Sequence, residues 1–314
     1  MGEQAVKIGK KLEGFGEKFF PNLKWEELCN DREIKCTRTS HKKRTHGIDL
    51  LFKFRNPYIN GNQSIIVECK NRQMKSITKD KISEWIDELI NNIECSQSAP
   101  ELTDLDLDDA PINTGLLLIH ANDEFDRDKF YGYLEQIHNK SRRSPINIFV
   151  AANDKISQWK SLFERINSHY NNEFKFLYPS INNSSKESID TLTIGAMYSK
   201  YIFAQSKYDV TTHNESSTTT TTMQQSIMFF FDEICVENFK YAWSMFKHYQ
   251  MQGSGRYAFV FYPQKNGDVE LVKERFISTL KSGANPISQE EIDKITIDFI
   301  ENRDLSPIET GGSI

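Results

Sequence analysis

Seven residues, Ser64-Ile65-Ile66-Val67-Glu68-Cys69-Lys70, constrain the fold of this chain more than any other stretch. Ile65-Ile66-Val67 is apolar and β-branched, and it runs straight into a charged triplet. That pattern predicts a short strand, buried in a sheet, whose charged end emerges at a sheet edge. Upstream, Gly47-Ile48-Asp49-Leu50-Leu51-Phe52 predicts a second apolar strand with an aspartate at its start. The segment between them carries Asn56-Pro57 and Asn60-Gly61-Asn62, turn residues that predict a hairpin. Side chains two apart on a strand share a face, with Cα atoms about 6.5–7 Å apart. Glu68 and Lys70 are therefore expected to point the same way, and Cys69 into the opposite packing.

Around this hairpin the periodicity predicts alternating elements. Residues 3–20 read as a helix with Val6, Leu12, Phe15, Phe19 and Phe20 as its apolar set, stopped by Pro21. A short strand is expected near 33–37, followed by a basic loop containing Arg38, His41, Lys42, Lys43, Arg44 and His46. After the hairpin come a helix over 77–93, an acidic loop between Pro100 and Pro111, and a central apolar strand over 114–120. A helix over 125–139, a strand over 146–151, a helix over 157–168 and a last strand near 174–177 follow. A hairpin followed by crossovers implies an α/β mixed sheet flanked by helices.

Three residue types converging on one sheet edge carry a chemistry. The carboxylates of Asp49 and Glu68 are hard oxygen ligands suited to Mg²⁺, and Lys70 can orient or help deprotonate a water. That combination suits metal-dependent cleavage of a phosphodiester. On Asp49 and Glu68-Cys69-Lys70 the chain resembles the PD-(D/E)xK nucleases, of the Mrr-like, phage-defence type, with Ile48 standing where the family name has Pro. The resemblance implies a restriction-endonuclease-like fold over the first half of the chain. It also implies an acidic residue on the early helix. Gly9-Lys10-Lys11-Leu12-Glu13 fits the Gly-x-x-apolar-Glu form, which nominates Glu13, with Glu17 one turn on as the alternative. By the same resemblance Asp49, Glu68 and the Cys69 carbonyl would hold Mg²⁺, or Mn²⁺ in its place, and Glu13 would serve a second metal. The implied activity is a deoxyribonuclease of bacterial anti-phage defence or restriction. The competing readings are a non-catalytic nuclease-fold subunit that binds DNA or docks to a partner ATPase or helicase, and an RNA-cleaving nuclease.

Composition bounds these readings. A length of 314 residues allows two ordinary domains, and a net charge of −5 excludes coating nucleic acid by bulk charge. A nuclease needs only a local basic strip, and Arg38, Lys42, Lys43 and Arg44 just before Asp49, with Arg72 just after Lys70, are the candidates for phosphate contact. The first residues hold no apolar signal core and no run approaches ~18 apolar residues, so neither secretion nor membrane insertion is expected. The five cysteines, Cys29, Cys36, Cys69, Cys95 and Cys235, are scattered and never form C-x-x-C. That favours reduced thiols in a cytoplasm. The seven histidines form no H-x₃-H pair, so the sequence gives zinc little support.

Bland alternatives frame the rest. Glu33-Ile34-Lys35 and Glu173-Phe174-Lys175 repeat the Glu-x-Lys triplet and read as solvated strand charges. The acidic loop lacks an EF-hand order and reads as a solvated surface loop. Cys69 reads as a packing residue rather than a nucleophile. The second half is expected to form a separate α/β domain over 181–314, after a nuclease domain over 1–180. Its polar segment over 211–226, with five threonines from Thr218 to Thr222, reads as a linker or mobile loop. Its strands over 227–234 and 257–262 and helices over 237–249 and 269–280 carry no recognisable motif. Apolar strands of that kind must be covered by their own helices or by another chain. The half is therefore expected to build the assembly surface of a homo-oligomer.

Overall fold

A computed structural model describes residues 2–59, 61–138, 145–170, 173–179, 186–214, 217–249, 251, 253–262, 269–283, 286–303 and 305. The chain divides into two compact units, Met1–Ser157 with Asp304–Ile314, and Gln158–Arg303. In the first unit the order is helix α1 (Gly2–Phe19), strands β1 (Glu26–Lys35), β2 (Thr45–Asn56) and β3 (Gly61–Arg72), helix α2 (Lys79–Ser96), strand β4 (Ile112–Ala121), helix α3 (Arg127–Glu135) and strand β5 (Asn147–Ala151). Helix α4 (Asn153–His169) carries the division between the units. The sheet order is β1-β2-β3-β4-β5. β1, β2 and β3 form an antiparallel meander, and β3, β4 and β5 run parallel. The hairpin and crossovers expected from sequence are therefore present, in a mixed sheet of the restriction-endonuclease-like kind.

Packing explains the alternation. β4 is buried along almost its whole length, as a parallel strand covered on both faces must be. On one face lie α2 residues such as Ile82, Ile86, Leu89 and Ile93, which form one cluster with Leu51, Ile66, Leu117 and Ile119. Gly115 lets α2 approach β4 closely: a Cβ there would lie 2.9 Å from the Leu89 and Ile93 side chains. Gly115→Ala should therefore cost about 1–3 kcal/mol by overpacking, read as a shifted urea midpoint at unchanged slope. A gain in stability would show that the helix has room to move.

The acidic loop is not simply solvated. Asp104 takes both oxygens to Arg32 of β1, at 2.8 and 2.9 Å, and Asp106 accepts from Lys53 of β2 at 2.8 Å. The loop is strapped to the antiparallel strands by these pairs, because Lys53 is buried there and requires a charged partner.

The second unit contains strands β6 (Lys175–Pro179) and β7 (Lys186–Ile189), helix α5 (Ile194–Met197), strands β8 (Tyr201–Asn214) and β9 (Ser217–Phe230), helix α6 (Val236–His248), strand β10 (Arg256–Phe261), helices α7 (Val269–Ser282) and α8 (Gln289–Asp293), and strand β11 (Ile295–Phe299). Its sheet order is β11-β10-β9-β8-β6-β7. Two expectations change. The strand read as the last of the first domain, β6, pairs with β7 and β8 of the second sheet, so the division falls at Ser157 rather than near residue 180. The threonine-rich segment is not a linker: its described residues pair in register, from Thr211↔Thr220 to His213↔Thr218, as the outer part of the β8–β9 hairpin. Threonine is β-branched, and cross-strand threonine pairs suit a pleated surface better than a flexible coil. Residues 215 and 216, and the polar tail after Asn302 apart from Arg303 and Leu305, lie outside the described residues.

The apolar strands of this unit are covered from within the chain. Phe230 and Phe261 stack at 4.4 Å, Phe239 of α6 stacks on Phe261 at 4.5 Å, and Phe246 stacks on Phe259 at 5.2 Å. Phe276 of α7 joins the same fully buried cluster. The aromatic run is thus the core between sheet and helices, and the need for another chain to cover it disappears.

Candidate active site

The site forms where β2 and β3 part. Their paired register runs from Asn56↔Gly61 to Leu50↔Val67. Just beyond that register, the Cys69 N–H donates to Asp49 Oδ2 at 2.8 Å, so a side chain satisfies this amide in place of a strand carbonyl. Lys70 Nζ donates to Glu68 Oε1. Strand alternation and this divergence bring Asp49, Glu68 and Lys70 to one place, as the sequence predicts. Helix α1 adds a third carboxylate. Gly16 packs so tightly on β2 that a Cβ would lie 2.7 Å from Leu50 Cδ1, which brings Glu13 close enough to Asp49 for their charges to interact. Glu17 instead accepts from Asn30 Nδ2 at 3.2 Å, on the side of β1.

The electrostatics of the cluster are those of excess negative charge. Glu68 is 8% exposed, and burial, reinforced by the Asp49 carboxylate, raises its pKa to about 7, with Lys70 only partly offsetting this. Burial also raises Asp49, against the Cys69 N–H and Lys70, which favour its ionised form. Glu13 is raised by burial, by Asp49 and by Asp31. Burial opposes the charge on Lys70, yet Glu68 and Asp49 outweigh it and hold the ammonium protonated above its usual range. Three acids around one lysine, each pushed toward its neutral form, are what a divalent cation would relieve. The donor set of hard carboxylate oxygens fits Mg²⁺ or Mn²⁺. The Cys69 thiol is buried, and burial drives its pKa far up, which removes it as a nucleophile.

Two carboxylates escaped the sequence reading. Asp31 of β1, at φ 43°, raises both Glu13 and Asp49, and Glu88 of α2 acts on Glu68 and Lys70. The signal for Asp31 was absent because it depends on a left-handed backbone kink within a strand.

The basic residues are placed unequally. Arg38 pairs with Glu94 at 3.2 Å and Lys43 with Glu88 at 2.7 Å, so both are tied to α2. Arg72 donates to the Asn71 carbonyl at 3.0 Å, while Lys42 and Arg44 lie exposed on the loop. The charges of the other Glu-x-Lys triplets find partners elsewhere: Glu33 accepts from Thr45, and Glu173 and Lys175 pair with Lys207 and Asp190.

The same loop contains an arrangement that the sequence spacing argued against. Cys36, His41, His46 and Cys95 place four ligating atoms within 4.8 Å of one another. The Cys36 and Cys95 sulfurs are 3.7 Å apart, and His41 Nδ1 lies 3.6 Å from one and 3.4 Å from the other. C-x₄-H-x₄-H matches no standard zinc spacing, and the fourth residue comes from the last turn of α2.

Comparison with known proteins bears on the first unit. No curated protein gives a significant match to the chain. Residues 1–155 match the family model described as the GAPS4 protein PD-(D/E)XK nuclease domain, a span that contains α1, the meander and every member of the Asp49–Glu68–Lys70 cluster. By sheet order and by that match, residues 1–155 of this chain are similar to the PD-(D/E)XK nuclease domains.

Proposed function

We propose that the protein is a divalent-metal-dependent deoxyribonuclease acting in phage defence, the setting with which its nuclease family is associated. The observation that carries this reading is the convergence of buried Glu68 with Asp49 and Lys70 where two strands part. Asp49, Glu68 and the Cys69 carbonyl would hold Mg²⁺ or Mn²⁺. A bound ion supplies Lewis-acid polarisation of the scissile phosphate. Lys70 orients the attacking water with its ammonium and offsets negative charge that builds on the pentavalent phosphorus. Glu13, brought to Asp49 by the close seat of α1, adds a further carboxylate to the cluster. Lys42 and Arg44, exposed on the loop before β2, would contact the anionic backbone.

The test is incubation of purified protein with plasmid DNA and with single-stranded RNA, with Mg²⁺, with Mn²⁺ and with neither. Nicking or linearisation of DNA only when a metal is present supports the reading. Cleavage of RNA alone would reassign the substrate, and no cleavage of either would favour a docking subunit. Cutting both strands of a duplex calls for two sites, which a twofold dimer supplies, so the cleaving form is proposed to be a dimer. Light scattering should give twice the chain mass at micromolar concentration. A fully active monomer would overturn this part.

A further inference from the structure

We propose that Cys36, His41, His46 and Cys95 form a structural Zn²⁺ site within the nuclease unit, separate from the carboxylate site. Four observations lead there. The first is metric. A tetrahedral zinc with bonds of about 2.3 Å to sulfur and about 2.0–2.1 Å to nitrogen sets its sulfurs ~3.8 Å apart and sulfur and nitrogen ~3.5 Å apart. The observed separations are 3.7 Å between sulfurs, and 3.6 and 3.4 Å from the sulfurs to His41 Nδ1.

The second concerns the proton on His41. Its Nε2 lies 3.0 Å from Glu94 Oε2, an oxygen that can only accept, so Nε2 carries the hydrogen and Nδ1 presents its lone pair to the two sulfurs. A buried carboxylate holding the far nitrogen of a histidine is the usual second layer of a zinc site. Arg38 in turn neutralises Glu94, at 3.2 Å.

The third is an unmet bond. His46 is 6% exposed, and its Nε2 is buried with no hydrogen-bond partner among the described residues. Leaving such an atom bare is unfavourable, and a metal bond would remove that cost.

The fourth is charge. On binding, each cysteine thiol gives its proton to solvent, and two thiolates plus Zn²⁺ make a neutral centre suited to this partly buried position. Sulfur and imidazole select zinc, whereas the carboxylates of the other site select Mg²⁺ or Mn²⁺.

The site has a mechanical consequence. Cys36 follows the end of β1, His46 is the second residue of β2, three before Asp49, and Cys95 sits in the last turn of α2. The metal would clamp the loop between β1 and β2 onto α2 and so fix the start of the strand that carries Asp49.

The experiment is metal analysis of the full chain, expressed without a polyhistidine tag and purified without chelator. About one zinc per chain is expected, falling below about 0.1 in Cys36→Ser and in Cys95→Ser and unchanged in Cys29→Ser. Glu94→Gln should weaken zinc binding by about 10–100-fold, measured by competition with a chromogenic chelator. Should the cysteine variants not fold, Co²⁺ exchanged into the wild-type chain should show intense visible bands and a thiolate-to-cobalt charge-transfer band. Zinc-free protein with reactive Cys36 and Cys95 thiols would overturn the proposal. So would a Cys36–Cys95 disulfide, or full zinc content in both cysteine variants. None of these readouts depends on nuclease activity, so the zinc site and the nuclease reading can fail independently.

Discussion

Glu68→Ala should lower the rate of DNA cleavage by about 10³-fold or more, and Lys70→Ala by about 10²–10⁴-fold, with the fold intact. Glu68 and Asp49 interact across the divergence of β2 and β3, and under the proposed function both carboxylates would hold one cation against the scissile phosphate. Lys70 is held in place by the Glu68 carboxylate itself, so Glu68→Ala would remove the proposed metal ligand and also free the lysine. Lys70→Ala leaves the ligand set whole and removes only the charge that meets the developing phosphorane. The two variants should therefore differ in kind. Raising Mg²⁺ should not restore the rate of Lys70→Ala, which should saturate near the parent's concentration, whereas Glu68→Ala should need far more metal to reach any plateau. Single-turnover cleavage across a Mg²⁺ titration, with circular dichroism as the folding control, reads both. Cleavage by Glu68→Ala within tenfold of the parent protein would sink the assignment of this cluster.

The pH dependence should be equally marked. Glu68 moves from an ordinary value of 4.5 to about 7 because it is buried beside Asp49. In Mg²⁺-free protein the folded state then binds more protons than the unfolded state between those values, so stability contributed by protonated Glu68 is full below pH 4.5 and is lost as pH rises through 7. The full loss should be about 3–4 kcal/mol, since a tenfold change in proton affinity is worth about 1.4 kcal/mol. In Glu68→Gln that segment of the stability curve should flatten, leaving the variant more stable than the parent at pH 8. Because a carboxylate must be ionised to hold a cation, apparent Mg²⁺ affinity should rise about tenfold per pH unit up to pH 7 and level off above it. Urea unfolding at pH 5, 6, 7 and 8, without added metal or chelator, tests the first part. Stability that rises over that interval in the parent protein relative to Glu68→Gln would contradict the burial argument.

The family also gives the second unit no assigned role, since its match ends at residue 155. What that unit shows is a sheet covered by α6 and α7 and a hairpin whose threonine pairs extend it beyond the neighbouring strands: β10 pairs with β9 only from Gln225 onward, and β6 meets β8 only up to Gln205. No helix among the described residues is long and apolar enough to cross a membrane.

The amino-acid sequence by itself determined whatever depends on short-range pattern. Alternation placed Glu68 and Lys70 on one side of β3 and Cys69 on the other, and the turn residues between the two apolar runs predicted the hairpin that β2 and β3 form. Those two facts suffice to bring Asp49 to Glu68, because an antiparallel register is set by the turn that joins its strands. Only the tertiary structure decided the rest, and in each case the deciding contact joins residues far apart in the chain. Strand β6 reads the same whichever sheet it joins; its neighbours β7 and β8 settle that. The threonine run reads as polar coil until β8 supplies a partner for every described residue. Cys36 and His41 lie in the loop before β2 and His46 near its start, but Cys95 joins them only because α2 packs on the sheet in one rotational setting, fixed by Leu89 and Ile93 against Gly115. Local periodicity can specify which face of an element is apolar, but the partner of that face, and the polar residues carried with it, follow from close packing across the whole unit.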